Sequence, residues 1–596
     1  MTILQLLQKL SIEALKNLFG EEFTEKDFQV SETKPEFEGD YTIVLFSLVK
    51  RLKKSPEEIG NSIGKQLVEK NNEIFKNFNL IKGFCNLSFT DNFLNTFLQH
   101  NYNDPHFGHK KINGETVMVE YSSPNTNKPL HLGHLRNNFI GWSVAEILKA
   151  NGYKVIKSAI VNDRGIHICK SMIAWKLFAN GETPQSTNKK GDHFVADYYV
   201  KFNDVYKEQV AELVSKGIDK AAAEKEAPIM KLTQQMLLDW ENGEPEVMEL
   251  WNKMNGWVYA GFDETYKRIG SDFDKTYYES QTYLTGKEFV QEGLDKEILF
   301  KKPDNSVWID LTDQGLDEKL LLRGDGTSVY ITQDIGLADT KFKEFHPSKS
   351  IYVIGDEQNY HVKVLQEICK KLKLPFAESI YHLSYGMVEL PSGKMKSREG
   401  TVVDADDLVD EMIKTAQEHT EEAGKTNDFT GDELKSLFEV LAFGAMKFYL
   451  LRVDPKKKMI FNPKESIDFH GFTGPFIQYT YARIQSILRK VGNEIATSDL
   501  SHHISISLSA HERSLALKLE QYETMIEQAA EELNPAVIAN YIFQLAKLFN
   551  AFYVDHSIAN ETDEVRKKLR LTIAIMTANV LKNGMALLGV KVPERM

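Results

Sequence analysis

The chain has 596 residues, of which 42% are apolar and 26% are charged, a composition typical of a soluble globular protein too long for one hydrophobic core. A net charge of −13 argues against binding of polyanions over the whole surface and leaves room only for a local basic face. Cys85, Cys169 and Cys369 are far apart and odd in number, so they imply neither a disulfide framework nor a zinc knuckle, and we expect core thiols.

The length predicts two to four domains. The first ten residues contain no basic stretch before a long apolar run, and no segment reaches the uninterrupted apolar length of a membrane span. We therefore expect a cytoplasmic protein without a membrane partner.

The first predicted unit covers residues 1–110. Ile3, Leu6, Leu7 and Leu10 recur at helical spacing, and Gly39 to Tyr41 interrupt the chain before an apolar run that begins at Ile43. Helices and short strands alternate here without a regular pattern, which predicts a small α+β domain.

The second unit, residues 111–455, has the pattern of an α/β fold. Strand-like runs at 117–121, 155–161 and 350–355 are separated by helical stretches, as in a Rossmann-type parallel sheet with crossover helices. A polar, helical stretch at about 183–260 predicts an insertion into this core. Residues 456–596 carry apolar side chains at spacings of three and four, which predicts an all-helical bundle at the end of the chain.

A first candidate site lies at the start of a predicted helix that follows the strand-like run Val117 to Val119. His131-Leu132-Gly133-His134 would open that helix, where free backbone N–H groups and the helix dipole favour a phosphate. Gly133 lacks a Cβ and would let the backbone approach a base or ribose. The pattern is short enough to occur by chance, so its context has to decide its meaning.

A second candidate site lies about 260 residues downstream, in the run LPSGKMKSREG from Leu390 to Gly400. Lys394, Lys396 and Arg398 stand between two glycines, and such a loop would neutralise the charge on a leaving pyrophosphate. A cationic loop is otherwise ordinary solvated surface. No GxxxxGK[ST] run occurs, so a P-loop does not explain the phosphate site.

Together these motifs resemble the class I aminoacyl-tRNA synthetases, which combine an HxGH helix start with a distant KMSKS loop on an α/β core. SPNTNKPLHLGHLRN, GTSVYITQDIG, KMKSREG and LLGVKVPERM further resemble the arginyl-tRNA synthetase family, and the resemblance spans essentially the whole chain. In the same comparison, GDYTIVLFSLVKRL in residues 1–110 resembles the tRNA-contacting N-terminal domain of that family. GPFIQYTYARIQSI in residues 456–596 resembles its anticodon-binding domain.

This resemblance implies an arginine–tRNA ligase that forms arginyl-adenylate from L-arginine and ATP and then charges the terminal adenosine of tRNA(Arg). It implies Mg²⁺ carried by the nucleotide, no metal bound by the protein itself and tRNA-dependent activation of arginine; we expect a monomer. Two other interpretations stay open from the sequence. One is another adenylate-forming enzyme or nucleotidyltransferase of the HxGH superfamily, and the other is a catalytically silent tRNA-binding paralogue.

The resemblance also assigns the ATP site. His131 and His134 would stabilise the α-phosphate and Lys394 would hold the β- and γ-phosphates. Ser397 replaces the second lysine of the usual KMSKS loop, and the resemblance assigns the compensating charge to Lys128, with Lys396 as the alternative. The remaining ATP-binding predictions are Gly133, Met395, Lys396, Ser397 and His361.

For arginine, the resemblance implies contacts from Glu120, Asn125, Tyr330, Asp334 and Gln358, with Asp334 on the guanidinium and Tyr330 packed on the side chain. A planar cation with several donors requires such anionic and acceptor groups. Each residue also has a purely structural interpretation: a surface ion pair for Glu120, a turn for Asn125, a core aromatic for Tyr330 and a helix N-cap for Asp334.

The resemblance defines the roles of two further sets of residues less sharply. Asn162-Asp163-Arg164-Gly165 stands where the family more often has Asp-Trp-Gly, so the role of Arg164 is open. In the C-terminal domain, aromatic and arginine side chains would stack on anticodon bases, although aromatics at helical spacing are commonly core residues. The predicted tRNA-binding residues are Tyr479, Tyr481, Arg483, Tyr553 and Met596.

Overall fold

A computed structural model describes residues 2–34, 36–391, 403–422, 424, 429–492 and 506–596. It confirms the predicted fold class, because an α/β core with a parallel sheet carries an α+β domain at one end of the chain and a helical domain at the other.

The N-terminal domain is built on an antiparallel sheet with the strand order β1-β2-β4-β3. The apolar run that begins at Ile43 is divided between a strand and a helix, because β2 ends at Val44 and α2 begins at Phe46. Thr2 caps the first helix in a capping box with Gln5. The elements are α1 (Ile3–Phe19), β1 (Gln29–Glu32), β2 (Tyr41–Val44), α2 (Phe46–Leu52), α3 (Pro56–Lys70), β3 (Phe75–Ile81), β4 (Phe84–Phe89) and α4 (Asp91–Asn101).

The core begins with β5 (Thr116–Glu120), α5 (Leu132–Ala150), β6 (Lys154–Val161) and α6 (Ile166–Phe178). A helical insertion follows, from Pro184 to Ile269, so it extends beyond the predicted end at 260. Its polar helices pack on each other and on α6 rather than joining the sheet. They are α7 (Pro184–Thr187), α8 (Gly191–Ser215), α9 (Lys220–Glu226), α10 (Pro228–Glu241) and α11 (Pro245–Ile269).

A small antiparallel sheet, which the sequence did not predict, precedes the second half of the core. Its strands have three or four residues, too short for a clear alternating pattern. The elements are β7 (Lys275–Tyr278), α12 (Glu279–Thr282), α13 (Lys287–Asp295), β8 (Leu299–Lys301), β9 (Val307–Ile309), β10 (Lys319–Leu322), α14 (Tyr330–Phe345), β11 (Lys349–Gly355), α15 (Asn359–Lys371) and β12 (Ile380–Tyr385).

The core sheet is five-stranded and parallel, with the order β12-β11-β5-β6-β7. The chain proceeds in one direction from β5 to β7 and in the other from β11 to β12. Glu120, the last residue of β5, is paired in register with Tyr352 of β11. A crevice therefore forms at the carboxyl ends of β5 and β11, which is where doubly wound sheets bind ligands.

The rest of the chain is almost entirely helical in its described part. Helix α22 is long and apolar enough to cross a membrane by length and composition, although its sequence has no uninterrupted apolar run. It packs against its helical neighbours, and 44% of its most apolar window is buried. The elements are β13 (Val388–Glu389), α16 (Ala405–Glu422), α17 (Gly431–Leu451), β14 (Met459–Ile460), α18 (Pro463–Ser466), α19 (Gly474–Val491), α20 (Ala510–Glu520), α21 (Tyr522–Glu532), α22 (Pro535–Asp555) and α23 (Glu564–Leu587).

Candidate active site

His131 and His134 open helix α5 as a capping pair. His131 is the N-cap residue, and its Nδ1 accepts a hydrogen bond from the backbone N–H of Gly133 at 3.1 Å. Nδ1 of His134 accepts from the backbone N–H of His131 at 3.2 Å, and the two ring centroids are 3.9 Å apart. Both histidines therefore stand at the start of a helix, as the sequence predicts.

Both imidazoles are neutral near pH 7. Burial, followed by the charge of Lys128, lowers the pKa of His131 to about 4. Burial also holds the pKa of His134 well below its usual range, with smaller contributions from His131 and Lys128. Because each Nδ1 accepts a backbone hydrogen bond, the single ring proton of each histidine is on Nε2. The helix start thus offers two neutral N–H donors to an anion.

Gly133 packs closely against a histidine at this helix start. A Cβ at Gly133 would lie 3.0 Å from Cε1 and 3.1 Å from Nδ1 of His131. A larger residue would require the His131 ring, which caps the helix, to move by a few tenths of an ångström. The predicted approach of Gly133 to a nucleotide remains a prediction.

Lys128 is a partly buried cation beside the histidine pair. Burial lowers its pKa, and no carboxylate in the described part of the chain opposes that shift. Its charge contributes to the low pKa of both His131 and His134, which places the ammonium close to their rings. An ammonium without a carboxylate partner is suited to bind a phosphate oxygen.

The predicted loop residues Lys394, Met395, Lys396 and Ser397 lie outside the described residues. The chain on either side of them is anchored near α5. Before the loop, β13 pairs in parallel with β14, and Nη2 of Arg136 in α5 donates to the backbone oxygen of Lys457 at 2.7 Å. After the loop, residues 403–405 bond to the backbone of residues 130–132.

A second part of the crevice is a cavity of about 180 Å³ between the ends of β5 and β11, called here the acidic cavity. Glu120 forms an ion pair there with Lys341 of α14. Lys341 is 1% exposed, and its ammonium lies 4.5 Å from the ring centroid of Tyr352. The alternative that Glu120 pairs with a surface lysine is therefore wrong, and sequence reasoning missed Lys341. The lining residues used below are Glu120, Asn162, Asp334, Tyr352, Gln358 and His361.

Asp334 is the second carboxylate of the acidic cavity. It accepts a hydrogen bond from Nε2 of His361 at 2.7 Å, and this bond raises the pKa of His361. Asp334 lies within α14, whose N-cap is Val329, so the N-cap interpretation of Asp334 is wrong. His361 lies beside Asp334, and its contact with ATP remains a prediction.

The other predicted arginine residues are differently placed. Gln358 lines the acidic cavity at the end of a short 3₁₀ turn that follows β11. Asn125 is exposed and forms a parallel bridge with Asn162, beyond the ends of β5 and β6, and is not part of the cavity lining.

Tyr330 is not among the residues that line the acidic cavity with Asp334. As the first residue of α14 it projects beyond the helix start, because helical side chains point towards the N-terminus. It is 73% exposed, which also excludes a core position, and lines an adjoining cavity with Arg164 and Glu279. Its packing on arginine remains a prediction.

Asn137 joins the two halves of the crevice and was missed from the sequence. Its Nδ2 donates to the backbone oxygen of Val353 in β11 at 2.7 Å, while its Oδ1 accepts from the backbone N–H of Ser122, just after β5, at 2.6 Å. An Asn-Asn pair inside a helix was the available signal, since asparagine is a poor helix former.

Asp163 and Arg164 have structural partners at the end of β6. The Asp163 carboxylate accepts from the hydroxyl groups of Tyr259 and Ser280 at 2.8 and 2.7 Å and is 1% exposed. The guanidinium of Arg164 lies 3.9 Å from the ring centroid of Tyr283. The residue that departs from the family pattern thus packs on an aromatic ring beside the crevice.

In the C-terminal domain, the structure brings Tyr479, Arg483, Tyr553 and Met596 together in one groove of about 670 Å³. The Arg483 guanidinium lies 4.9 Å from the Tyr479 ring centroid and 5.3 Å from that of Tyr553. Tyr481 is a core residue, 2% exposed, so the prediction for it is wrong. Sequence reasoning missed the basic residues that also line the groove: Arg489, Lys490 and Arg595.

Comparisons with known families match three successive parts of the chain. Residues 5–89 match the arginyl tRNA synthetase N-terminal domain, residues 95–462 the catalytic domain of class I tRNA synthetases (R), and residues 477–596 the DALR anticodon binding domain. The chain is 52% identical over 587 residues to the arginine–tRNA ligase of Bacteroides thetaiotaomicron, covering 98% of both proteins. It is 51% identical to that of Amoebophilus asiaticus, covering 98% of this chain and 99% of the relative.

Solved structures show the same fold at lower identity. Thermus thermophilus arginyl-tRNA synthetase superposes with a TM-score of 0.78 at 23% identity and covers 99% of this chain and 100% of that one. The Plasmodium falciparum arginyl-tRNA synthetase gives the same TM-score at 19% identity and covers 100% of this chain and 99% of that one. These two similarities concern the fold alone.

Proposed function

This chain belongs to the arginyl-tRNA synthetase family and is an arginine–tRNA ligase, and we propose how its residues divide the reaction. The observation that carries the proposal is the position of the neutral histidine pair and the acidic cavity at the same edge of the sheet, where β5 leads into α5 and faces β11. One crevice can then hold a phosphate group and a cationic amino acid side by side.

In the proposed first step, a carboxylate oxygen of arginine attacks the α-phosphorus of ATP, a new P–O bond forms, and the bond to pyrophosphate breaks. The Nε2–H groups of His131 and His134 would donate to the α-phosphate oxygens, where negative charge grows. Lys128 would neutralise charge next to them, and Lys394 would bind the outer phosphates. Magnesium carried by the nucleotide would bind to its phosphates.

Asp334 would bind the guanidinium group, and Glu120 with Gln358 would bind the amino end of arginine. The acidic cavity supports this assignment because both carboxylates line it: Glu120 is paired with Lys341, and Asp334 accepts a hydrogen bond from His361. A cationic ligand can replace His361 at Asp334 without leaving that carboxylate unpaired, while Glu120 stays paired with the buried Lys341.

In the second step, the terminal hydroxyl of tRNA(Arg) would attack the arginyl carbonyl carbon and release AMP. We assign anticodon contacts to Tyr479, Arg483, Tyr553 and Met596, because stacking planes and a cation share one groove there. We propose domains at 1–110, 111–455 and 456–596, a monomeric enzyme and a cytoplasmic location.

The function is tested by arginine-dependent exchange of pyrophosphate into ATP, with and without tRNA(Arg). We expect exchange with arginine and tRNA together, little without tRNA, and none with other amino acids. Exchange with another amino acid and none with arginine would contradict the assignment. His134→Ala should abolish charging while tRNA binding persists, since His134 lies at the start of α5 and the proposed anticodon groove is in the C-terminal domain.

Arginine is expected to bind more weakly as the pH falls. The hydrogen bond to Asp334 raises the pKa of His361, so His361 is protonated up to a higher pH when arginine is absent. Bound arginine would displace His361 from Asp334. The pKa of His361 would then fall, and its imidazole would release a proton. Affinity should therefore drop below the raised pKa, by at most about tenfold per pH unit for one proton, and level off above it.

Calorimetry in two buffers of different ionisation enthalpy measures this proton release between about pH 6 and pH 8. His361→Gln keeps an N–H donor for Asp334 but does not titrate, so its arginine affinity should not vary with pH over this range. An equal pH dependence in His361→Gln and wild type would assign the effect to another group.

Lys128 is expected to contribute more to activation than Lys396. Lys128→Met should lower kcat for pyrophosphate exchange roughly tenfold to hundredfold, because a charge-assisted hydrogen bond is worth about 1.5–3 kcal/mol. Lys396→Met should cost less. The comparison is made at saturating ATP and arginine, and a larger loss in Lys396→Met would reverse the ranking.

A further inference from the structure

A cluster of charged side chains lies where the insertion meets the start of α16, outside the crevice. The Asp406 carboxylate accepts hydrogen bonds from Nζ of Lys190 at 2.7 Å, from Nε2 of His193 at 3.2 Å and from Oγ1 of Thr265 at 3.2 Å. Lys190 also donates to Asp192 at 3.0 Å. These five residues are called here the Asp406 clamp.

The clamp is held rigidly on the insertion side. A Cβ on Gly191 would lie 2.0 Å from the backbone oxygen of Trp257, and a Cβ on Gly261 would lie 2.3 Å from Oδ1 of Asp192. The start of α8 and the middle of α11 therefore approach each other as only glycine permits. Lys190, the N-cap residue of α8, is fixed by this packing and is 18% exposed.

On its other side, the clamp holds the backbone beside His131. Oδ1 of Asp404 accepts from the backbone N–H of Asp406 at 2.7 Å, which fixes the first turn of α16. Just before that turn, residues 403–405 bond to residues 130–132 through two backbone hydrogen bonds of 3.3 and 3.0 Å. The residue between those two bonds is His131, which is bridged to Asp404.

The same insertion helix contacts two other segments of the crevice. The hydroxyl of Tyr266 in α11 lies 2.7 Å from Oγ of Ser122, just after β5. The hydroxyl of Tyr259 donates to Asp163, just after β6. Helix α11 thus reaches the ends of β5 and β6 and, through Thr265, the start of α16.

Lys190 is the cation nearest to the Asp406 carboxylate, at 2.7 Å, and Arg268 lies 3.9 Å from it. Asp192, His193 and Asp406 offer ligand atoms within 4.8 Å of one another, as a metal site would. The Lys190 ammonium, however, lies 3.0 and 2.7 Å from the two carboxylates and already supplies one positive charge between them. The hydrogen bond to Asp406 also raises the pKa of His193, which adds a second cation as the pH falls.

We propose that Lys190 and His193 are positioning residues for adenylate formation: through Asp406 they hold residues 403–405 against residues 130–132 and so fix His131. Neither residue lines the acidic cavity, and neither belongs to the histidine pair at the start of α5. The proposal rests on the proposed role of His131 in activation. The insertion would then contribute to catalysis, although its residues are separate in sequence from those that line the crevice.

The test uses the full chain and arginine-dependent pyrophosphate exchange with tRNA present. Lys190→Met should lower kcat roughly tenfold to hundredfold, since small displacements of catalytic groups have effects of that size, while the arginine KM stays within about twofold. Lys189→Met is the matched control, because the neighbouring Lys189 pairs with Asp197 on the surface and both are more than half exposed. It should retain wild-type kcat.

Asp406→Asn separates positioning from folding. It removes the central charge, whose hydrogen bonds to His193 and Lys190 hold the pKa of Asp406 below its usual range, so the melting temperature should fall. Lys190 stays paired with Asp192, so the variant should remain folded and still lose kcat. A folded Asp406→Asn with wild-type kcat, or Lys190→Met equal to Lys189→Met, would overturn the proposal. Absence of exchange in the wild type itself would instead contradict the proposed function.

Discussion

Asp334→Asn is expected to lower kcat/KM for arginine roughly 10²- to 10³-fold, equivalent to about 3–4 kcal/mol. Asparagine has the shape of aspartate and can still accept the hydrogen bond from His361, but it carries no charge for the guanidinium. A cationic side chain enclosed in the acidic cavity would then lack its counter-ion. Most of the loss should appear in the arginine KM and in the equilibrium dissociation constant.

Steady-state exchange at varied arginine, with calorimetry for binding, measures this effect. Asp339→Asn is the control on the same helix, because Asp339 pairs with Lys343 and does not line the acidic cavity. ATP and tRNA binding should be unchanged in both variants. An unchanged arginine KM in Asp334→Asn, or an equal rise in the ATP KM, would remove Asp334 from the guanidinium site.

His131→Asn is expected to lower kcat for adenylate formation roughly 10²- to 10³-fold, the usual cost of removing one donor to developing negative charge. Asparagine is a favourable N-cap residue, so it can accept the bond from Gly133 that His131 now accepts. Helix α5 should therefore begin at the same residue, and the free energy of unfolding should change by less than about 1 kcal/mol.

Urea unfolding of His131→Asn, next to its exchange rate, separates the two roles of the histidine. His131→Gln is the companion variant, because its longer amide brings an N–H closer to the position of Nε2 and should recover part of the rate. A folded His131→Asn with wild-type kcat would show that His131 serves only to cap α5. Unfolding of both variants in parallel with their loss of activity would point to the same conclusion.

The sequence predicted three of the five core strands, β5, β6 and β11, to within a residue, because parallel strands buried on both faces are continuous apolar runs with clear boundaries. It did not predict β7 and β12 of the same sheet. It missed β8 to β10, whose strands are too short for an alternating pattern. It also placed the end of the insertion too early, since α11 continues the same helical periodicity up to Ile269. Periodicity predicts whether an element is a helix or a strand better than it predicts which other elements pack against it.

In the site, local motifs correctly predicted those side chains whose positions depend on the nearby backbone. The capping of α5 by His131 and His134 involves residues within three positions of each other, so the sequence was sufficient. The pairing of Glu120 with Lys341 joins residues more than 200 positions apart, and nothing near either residue indicates the other. Asp334 and His361 are 27 positions apart, but they lie on different helices, and no local pattern indicates that they pair.

The sequence by itself determined the fold class, the family and the helix start that holds His131 and His134. Each of these follows from a short-range sequence pattern or from similarity along the whole chain. The tertiary structure alone decided which charges neutralise each other: Lys341 for Glu120, His361 for Asp334 and Lys190 for Asp406. Electrostatic energy depends on distance and burial, and both are set by packing between segments remote in sequence.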